Sequence, residues 1–268
     1  MSEALLVERD GHVLTLTMHR PEVKNALNPE MLCRLADAWA LADEDDGIRC
    51  VILTGAGGDF CAGADLDKLV ARSLAGAPPE DDFERRIRED YNIIFDGLLR
   101  TRQLKKPLIA AIEGYCVAGG TEILQATDIR IAGESAIFGI TEVKWALFPQ
   151  GGSTIRLRRQ IPYTKAMEML LTGDTYPAQE ALGFGLIGRV VPDGRALVTA
   201  REVAERVCRN GPVAVQAVKA SVQATECLPE KEALALEFQI GMKVTATEDA
   251  REGPRAFKEK RAPQFKGR

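Results

Sequence analysis

Two glutamates stand out as groups that could move protons. Glu122 falls in the first turn after Gly119-Gly120, between Thr121 and Ile123, and Glu142 follows Phe138-Gly139-Ile140-Thr141. Both have apolar neighbours in sequence, and burial raises a carboxyl pKa toward the range useful for proton transfer. Each also has a plainer reading, which composition alone favours: Glu122 complements a helix N-terminus and Glu142 is a surface acid. Two glycine-bearing turns suggest a second kind of chemistry. The stretch 55–66 follows a predicted strand, and its small residues Cys61, Ala62, Gly63 and Ala64 allow close approach and leave amide N–H groups free. The stretch 114–122 also follows a strand and leads into a helix, where Gly119-Gly120 presents unpaired N–H donors at the positive end of the helix dipole. Two such turns brought together could hold a developing oxyanion. Taken singly, each is weak, since glycine turns occur throughout α/β proteins.

Other chemistries are poorly supplied. The only histidines are His12 and His19, read as strand-face or edge residues. A histidine-rich zinc site is thereby implausible, and a Ser-His-Asp triad would have to recruit one of these two. No G-x-G-x-x-G follows the first strand and no Walker A sequence occurs. The six cysteines form no C-x-x-C pair and mostly have apolar neighbours, as buried thiols do in a reducing cytoplasmic setting. Lysine plus arginine number 35 against 39 acids, a formal charge of −4, which argues against nucleic acid as the main ligand. No apolar run approaches the roughly 20 residues that span a bilayer, and the start Met1-Ser2-Glu3 predicts no secretory signal.

The elements that must position these residues read as α/β over the first part of the chain. Leu5–Val7 and Val13–Met18 flank Asp10-Gly11, a hairpin dipeptide. Asn28-Pro29-Glu30 supplies an N-cap, a first-position proline and a first-turn acid for a helix with Leu32, Leu35, Ala36 and Trp39 on one face. Short apolar runs at 50–54, 107–112 and 128–132 predict buried strands, and their alternation with helices implies crossover units. Residues 73–82, rich in glycine, proline and acids, predict a mobile loop or lid, with a passive surface insertion as the equal alternative. From about Thr164 onward the chain reads as helical, notably over 196–209 and 230–243. No internal sequence repeat is evident.

Several segments together resemble the enoyl-CoA hydratase/isomerase (crotonase) family. They are Lys24–Leu27, Phe60–Leu66, Lys106–Ala111, Gly114–Glu122, Phe138–Glu142, Pro149–Gly152, Leu171–Gly173 and Glu252–Arg261, in the family's order and spacing. The resemblance runs from about residue 5 to the C-terminus. It implies an α/β fold of the ClpP/crotonase type: repeated ββα units wound as a superhelix around two nearly perpendicular sheets, then a helical C-terminal region that helps form trimers and hexamers. Residues 1–195 would form the core and 196–268 the helical region. The implied substrate is an acyl-CoA thioester, with coenzyme A carried on the substrate and no separate cofactor or metal; the implied setting is cytoplasmic fatty-acid metabolism. By motif, the amides of Ala64 and Gly119 would bind the thioester oxygen. Lys24, Ala26, Leu27, Ala62, Asp65 and Leu66 would hold the adenine end, and Lys260 would reach a phosphate of CoA on a neighbouring subunit, a solvated charge run being the comparable alternative.

Glu122 and Glu142 fall on the two glutamates of the hydratases, which implies syn hydration of a trans-2-enoyl-CoA, Glu122 as base toward water and Glu142 as acid toward the α-carbon. The chain departs from the family pattern at Thr141, where hydratases often have proline, and at Ala118, which reduces a glycine triplet to a pair. Trp145, Phe148 and Gln150 are larger than the family norm and shape the acyl pocket or belong to core and loop. Two other readings remain open: a double-bond isomerase or carnitinyl-CoA-type dehydratase of the same fold, and a non-catalytic CoA- or RNA-binding relative.

Overall fold

The computed structural model describes residues 3–268; Met1 and Ser2, part of the start read above for a secretory signal, lie outside the described residues. Strands β1 (Leu5–Asp10) and β2 (Val13–Met18) form the expected hairpin, with Asp10 paired to Val13. That register centres the turn on Gly11-His12, one residue later than the Asp10-Gly11 reading. Gly11 takes the first central position at φ 56°, a backbone conformation that suits a residue without Cβ. The other strands are β3 (Cys50–Gly55), β4 (Leu108–Ile112), β5 (Tyr115–Val117), β6 (Ile129–Gly133), β7 (Ile137–Gly139), β8 (Thr175–Pro177) and β9 (Arg189–Val191).

Six strands make one sheet in the order β1-β2-β3-β4-β6-β9, parallel from β2 onward, and β5-β7-β8 make a second. The large sheet is covered on both faces, which explains the continuous apolar runs. Val51, Leu53, Leu108, Ala110 and Ile112 face a core shared with the helix Pro29–Glu44, which buries Leu32, Leu35 and Trp39. That helix starts as predicted, with the Asn28 side chain accepting from the Met31 amide at 2.9 Å. The alternate residues Cys50, Ile52, Ile109, Ala111 and Ile131 face the other way, against Ala196, Ala200, Val203 and Ala204 of the helix Ala196–Cys208. That helix therefore closes the back of the sheet as part of its core.

The chain past Thr164 is not wholly helical: β8 and β9 lie in it, three residues each, too short for periodicity to reveal. Helices do follow at Ala196–Cys208, Pro212–Thr225, Glu230–Thr245 and Glu248–Lys258.

The arrangement that matters for chemistry is a threefold repetition of strand, short strand and helical turn. β4 is followed by β5 and the helix Gly119–Leu124; β6 is followed by β7 and the helical turn Glu142–Trp145. β3 is followed by Cys61, which bridges in parallel to Cys116 of β5, and by the π-helical turn Leu66–Ala71. In each unit the long strand joins the large sheet and the short one lies in or against the small sheet. The sequences of the three units show no repetition; the repeat is one of backbone path. Because Cys61, β5 and β7 run parallel, the turns after them emerge on one edge. Those turns carry Ala64, Gly119 and Glu142. Ligand sites at the carboxyl ends of parallel strands are a general consequence of such crossover topology.

Candidate active site

The two glycine-bearing turns are stitched together by backbone hydrogen bonds. The Cys61 amide donates to Tyr115 O at 2.8 Å, the Val117 amide to Cys61 O at 3.0 Å, and the Leu27 amide to Gly63 O at 2.7 Å. Most N–H groups of the first turn are therefore engaged, contrary to the sequence reading that left them free: Ala62 donates to Lys24 O at 2.9 Å and Gly63 to Cys61 Sγ at 3.4 Å. The Ala64 and Gly119 amides have no acceptor among the described residues. They are close neighbours, since a Cβ built on Gly119 would lie 3.7 Å from Ala64 N. Glycine is needed where the turns meet. Gly63 has φ 95°, and a Cβ on Gly120 would come within 2.5 Å of Cys61 O. Ala118, which precedes the pair, holds φ 49° and ψ −124°, a strained conformation for an alanine.

Glu122 is 4% exposed. It is the acid in the first turn of its own helix, as the plainer reading has it, but its carboxylate also reaches the start of the helix Ser153–Gln160. There the Ser153 amide donates to Oε1 at 3.3 Å. Burial pushes its pKa up, while the amides of Gly151, Ser153 and Gly152 and the Ser153 hydroxyl pull it back, leaving it raised. A Cβ on Gly151 would lie 2.6 Å from Oε2, so this carboxylate fits only beside glycine.

Glu142 opens the helical turn Glu142–Trp145 and is half-buried. Its Oε2 is buried with no hydrogen-bond partner among the described residues. Burial, and then the charge of Glu122, push its pKa up to about 7. The two acids thus have unlike environments: Glu122 is held by the amides of Gly151, Gly152 and Ser153, while Glu142 keeps one buried carboxyl oxygen without a donor.

Ala64, Gly119, Glu122 and Glu142 line one cavity of about 580 Å³, together with Leu27, Ala62 and Leu66. Thr141, Trp145, Phe148 and Gln150 line it too, so these departures from the family pattern face the cavity. Residues 73–82 form part of its wall through Ser73, Leu74 and Gly76, which is more than a passive insertion. The segment is tied by Arg72, whose guanidinium meets Glu84 Oε1 at 3.1 Å, Glu80 Oε1 at 2.6 Å and Pro78 O at 2.8 Å.

Lys24, Ala26, Asp65 and Lys260 do not line the cavity. Lys24 Nζ lies 3.6 Å over the Tyr115 ring, and Ala26 O accepts from Arg20 Nη1 at 2.6 Å. Asp65 pairs with Arg20 at 3.0 Å and caps the Lys68 amide at 3.1 Å. Lys260 is exposed beyond the helix Glu248–Lys258. Both histidines are distant in role: His12 Nδ1 meets Gly47 O at 2.8 Å and His19 Nδ1 meets Glu3 O at 3.3 Å. Among the described residues no three His, Cys, Asp or Glu side chains gather as metal ligands. Sequence reasoning missed the wall residues Ile87, Tyr91 and Phe95 and the residue Ser153. Ser153 follows Gly151-Gly152 at a helix start, the same signal of free amide donors that marks Gly119-Gly120.

With this geometry in place, the chain compares closely with known proteins. The enoyl-CoA hydratase/isomerase family model matches residues 8–268. Enoyl-CoA hydratase EchA19 of Mycobacterium tuberculosis is 56% identical over 263 residues, 98% of this chain and 96% of that one. The (E)-benzylidenesuccinyl-CoA hydratase of Thauera aromatica is 38% identical over 97% of this chain and 98% of its own. The crystal structure of an enoyl-CoA hydratase from M. tuberculosis H37Rv superposes with a TM-score of 0.87 at 37% identity, covering 100% of both chains.

Proposed function

The chain belongs to the enoyl-CoA hydratase/isomerase family, and from that premise we propose that it is an enoyl-CoA hydratase performing reversible syn addition of water to a trans-2-enoyl-CoA thioester. The observation that carries this reading is the pair of unlike carboxyls beside two unengaged amides in one cavity. The amides of Ala64 and Gly119 bind the thioester oxygen and draw the electron pair of the double bond toward it. Ionised Glu122 takes a proton from water as the water oxygen bonds to the β-carbon. Protonated Glu142 delivers its proton to the α-carbon as the thioester carbonyl re-forms. One water is added, and the carboxyls finish with their protonation states exchanged, to be reset through solvent before the next turnover. Dehydration runs the same steps backward. Losing one such oxyanion donor costs on the order of 3 kcal/mol of barrier.

Coenzyme A arrives as part of the substrate, and the reaction asks for no separate cofactor or metal. Leu27, Ala62 and Leu66 lie on the cavity where they can touch the carrier, with Lys24, Ala26 and Asp65 immediately behind them as the frame of the adenine site. Lys260 serves a neighbouring subunit's CoA. The proposed assembly is a trimer, or a hexamer of paired trimers. Support comes from the exposed stripe Leu234, Phe238 and Met242 on the helix Glu230–Thr245 and from Val218 and Val222 on Pro212–Thr225, surfaces too apolar to leave in water. A cytoplasmic setting is consistent with the free thiols of Cys33, Cys50, Cys61 and Cys116, all buried. No described helix is long and apolar enough to cross a membrane.

The test follows loss of the conjugated enoyl absorbance with crotonyl-CoA and a longer trans-2-enoyl-CoA. Wild type should hydrate at least one of them, and Glu122→Gln and Glu142→Gln should each lose about 100- to 10,000-fold, the usual range for one general acid or base. Folded, CoA-binding wild type that leaves the absorbance unchanged would overturn the assignment for these substrates.

A further inference from the structure

Behind Glu122 lies a buried polar network that the proposed reaction does not by itself require. Ser153 is 0% exposed and Gln125 is 3% exposed. Gln125 Nε2 is 3.1 Å from the backbone oxygen of Thr121 and 2.8 Å from Ser153 Oγ. Thr121 O can only accept, so the side-chain atom facing it must be the NH2 group and the amide has one permitted orientation. The same NH2 group then donates to Ser153 Oγ. The hydroxyl hydrogen of Ser153 is left to donate elsewhere; the Glu122 carboxylate takes the amide of the same residue at 3.3 Å, and the Ser153 side chain lowers the Glu122 pKa. Gln125 gives up a bond to stand this way: its Oε1 is buried with no partner among the described residues.

We propose that Ser153 is a positioning residue whose amide and hydroxyl together aim the Glu122 carboxylate and hold it in its ionised, proton-accepting form, with Gln125 fixing the direction of that hydroxyl. The inference rests on the hydratase reading of Glu122 as the base. The fixed amide acts as a one-way setting. With Nε2 donating into Ser153 Oγ, the hydroxyl favours a negatively charged neighbour over a protonated one. The charged groups within reach of Glu122 are Glu142, whose titration it raises, and Arg156, one turn along the helix Ser153–Gln160. Arg156 Nη2 donates to Leu99 O at 2.5 Å, while its Nη1 is buried with no hydrogen-bond partner among the described residues. The hydrogen bond that reaches Glu122 comes from Ser153, through its amide at 3.3 Å.

The experiment titrates Glu122 directly in the folded full-length protein, by the 13C shift of labelled glutamate carboxyls, with the Glu122 resonance identified as the one lost in Glu122→Gln. Ser153→Ala should move its midpoint up by about one pH unit, the effect of one hydrogen bond to a charged group. Gln125→Met should move it the same way by less, since the freed hydroxyl can turn, and should add nothing in the Ser153→Ala background. Where wild type hydrates, the acidic limb of the kcat/KM profile should move with the midpoint while the alkaline limb stays. Ser153→Cys, close in volume but a weak donor, makes the same prediction if the alanine variant fails to fold. An unmoved midpoint in the folded variants, even with lowered activity, would show that Ser153 only packs and would overturn the proposal. Absence of turnover with a shifted midpoint would instead count against the hydratase reading alone.

Discussion

Glu122 and Glu142 carry the same carboxyl group, and their surroundings separate them. Glu122 meets a row of amides, while Glu142 has a buried oxygen without a donor and a charged neighbour, and titrates near 7. The acid must hold its proton to serve hydration, so kcat/KM for hydration should fall as pH rises through about 7 and fall again at low pH where Glu122 becomes protonated. A pH profile with crotonyl-CoA checks this. Stability carries the same signature. The folded value of Glu142 lies above its ordinary 4.5, so the folded state binds this proton more tightly than the unfolded chain. That contribution is complete below the ordinary value and is lost as pH rises through about 7. Glu142→Gln removes the loss, so its stability relative to wild type should increase between pH 5 and pH 8, by at most about 3 kcal/mol. Thermal unfolding at the two pH values measures it; an unchanged difference would contradict the buried, raised acid. The identity of both acids was legible because each sits in a distinctive motif. The family resemblance also implied their division of labour; the contacts of Glu122 with Gly151, Gly152 and Ser153 were not legible, because those residues lie some 30 positions away in sequence.

At the scale of elements, the site is an edge on which three backbone turns coincide. The long strands were readable as buried apolar runs, and the helix Pro29–Glu44 from its cap and proline. The three-residue strands β5, β7, β8 and β9 were not, because so few residues show no period and their partners lie far along the chain. The close approaches they create make sharp predictions. Gly151→Ala would place a methyl 2.6 Å from Glu122 Oε2, so hydration should fall by at least an order of magnitude while the protein stays folded. Steady-state kinetics beside a circular dichroism spectrum decide it. Ala118 points the other way. Its φ of 49° with ψ −124° suits glycine, so Ala118→Gly should relieve strain and stabilise by about 1 kcal/mol, with the Gly119 amide kept in place and hydration retained. A lower Tm in that variant would contradict the strain argument.

For the whole molecule, what the chain leaves exposed matters as much as what it buries. Leu234, Phe238 and Met242 recur at one face of a helix that buries none of its residues in the isolated chain. Phe238→Glu should therefore lower the mass observed by light scattering on size-exclusion chromatography from that of a trimer or hexamer toward the single chain. A wild type that runs as a monomer would refute the assembly.

The central claim is that this cavity adds water across a conjugated thioester, and isotopes test it most directly. Reaction of a trans-2-enoyl-CoA in 18O-enriched D2O should give a 3-hydroxyacyl-CoA with one solvent oxygen on C3 and one deuterium on C2, both on the same face. Deuterium in recovered or rearranged enoyl-CoA with no 18O incorporated would show a double-bond isomerase working through the same oxyanion site, and would contradict the account.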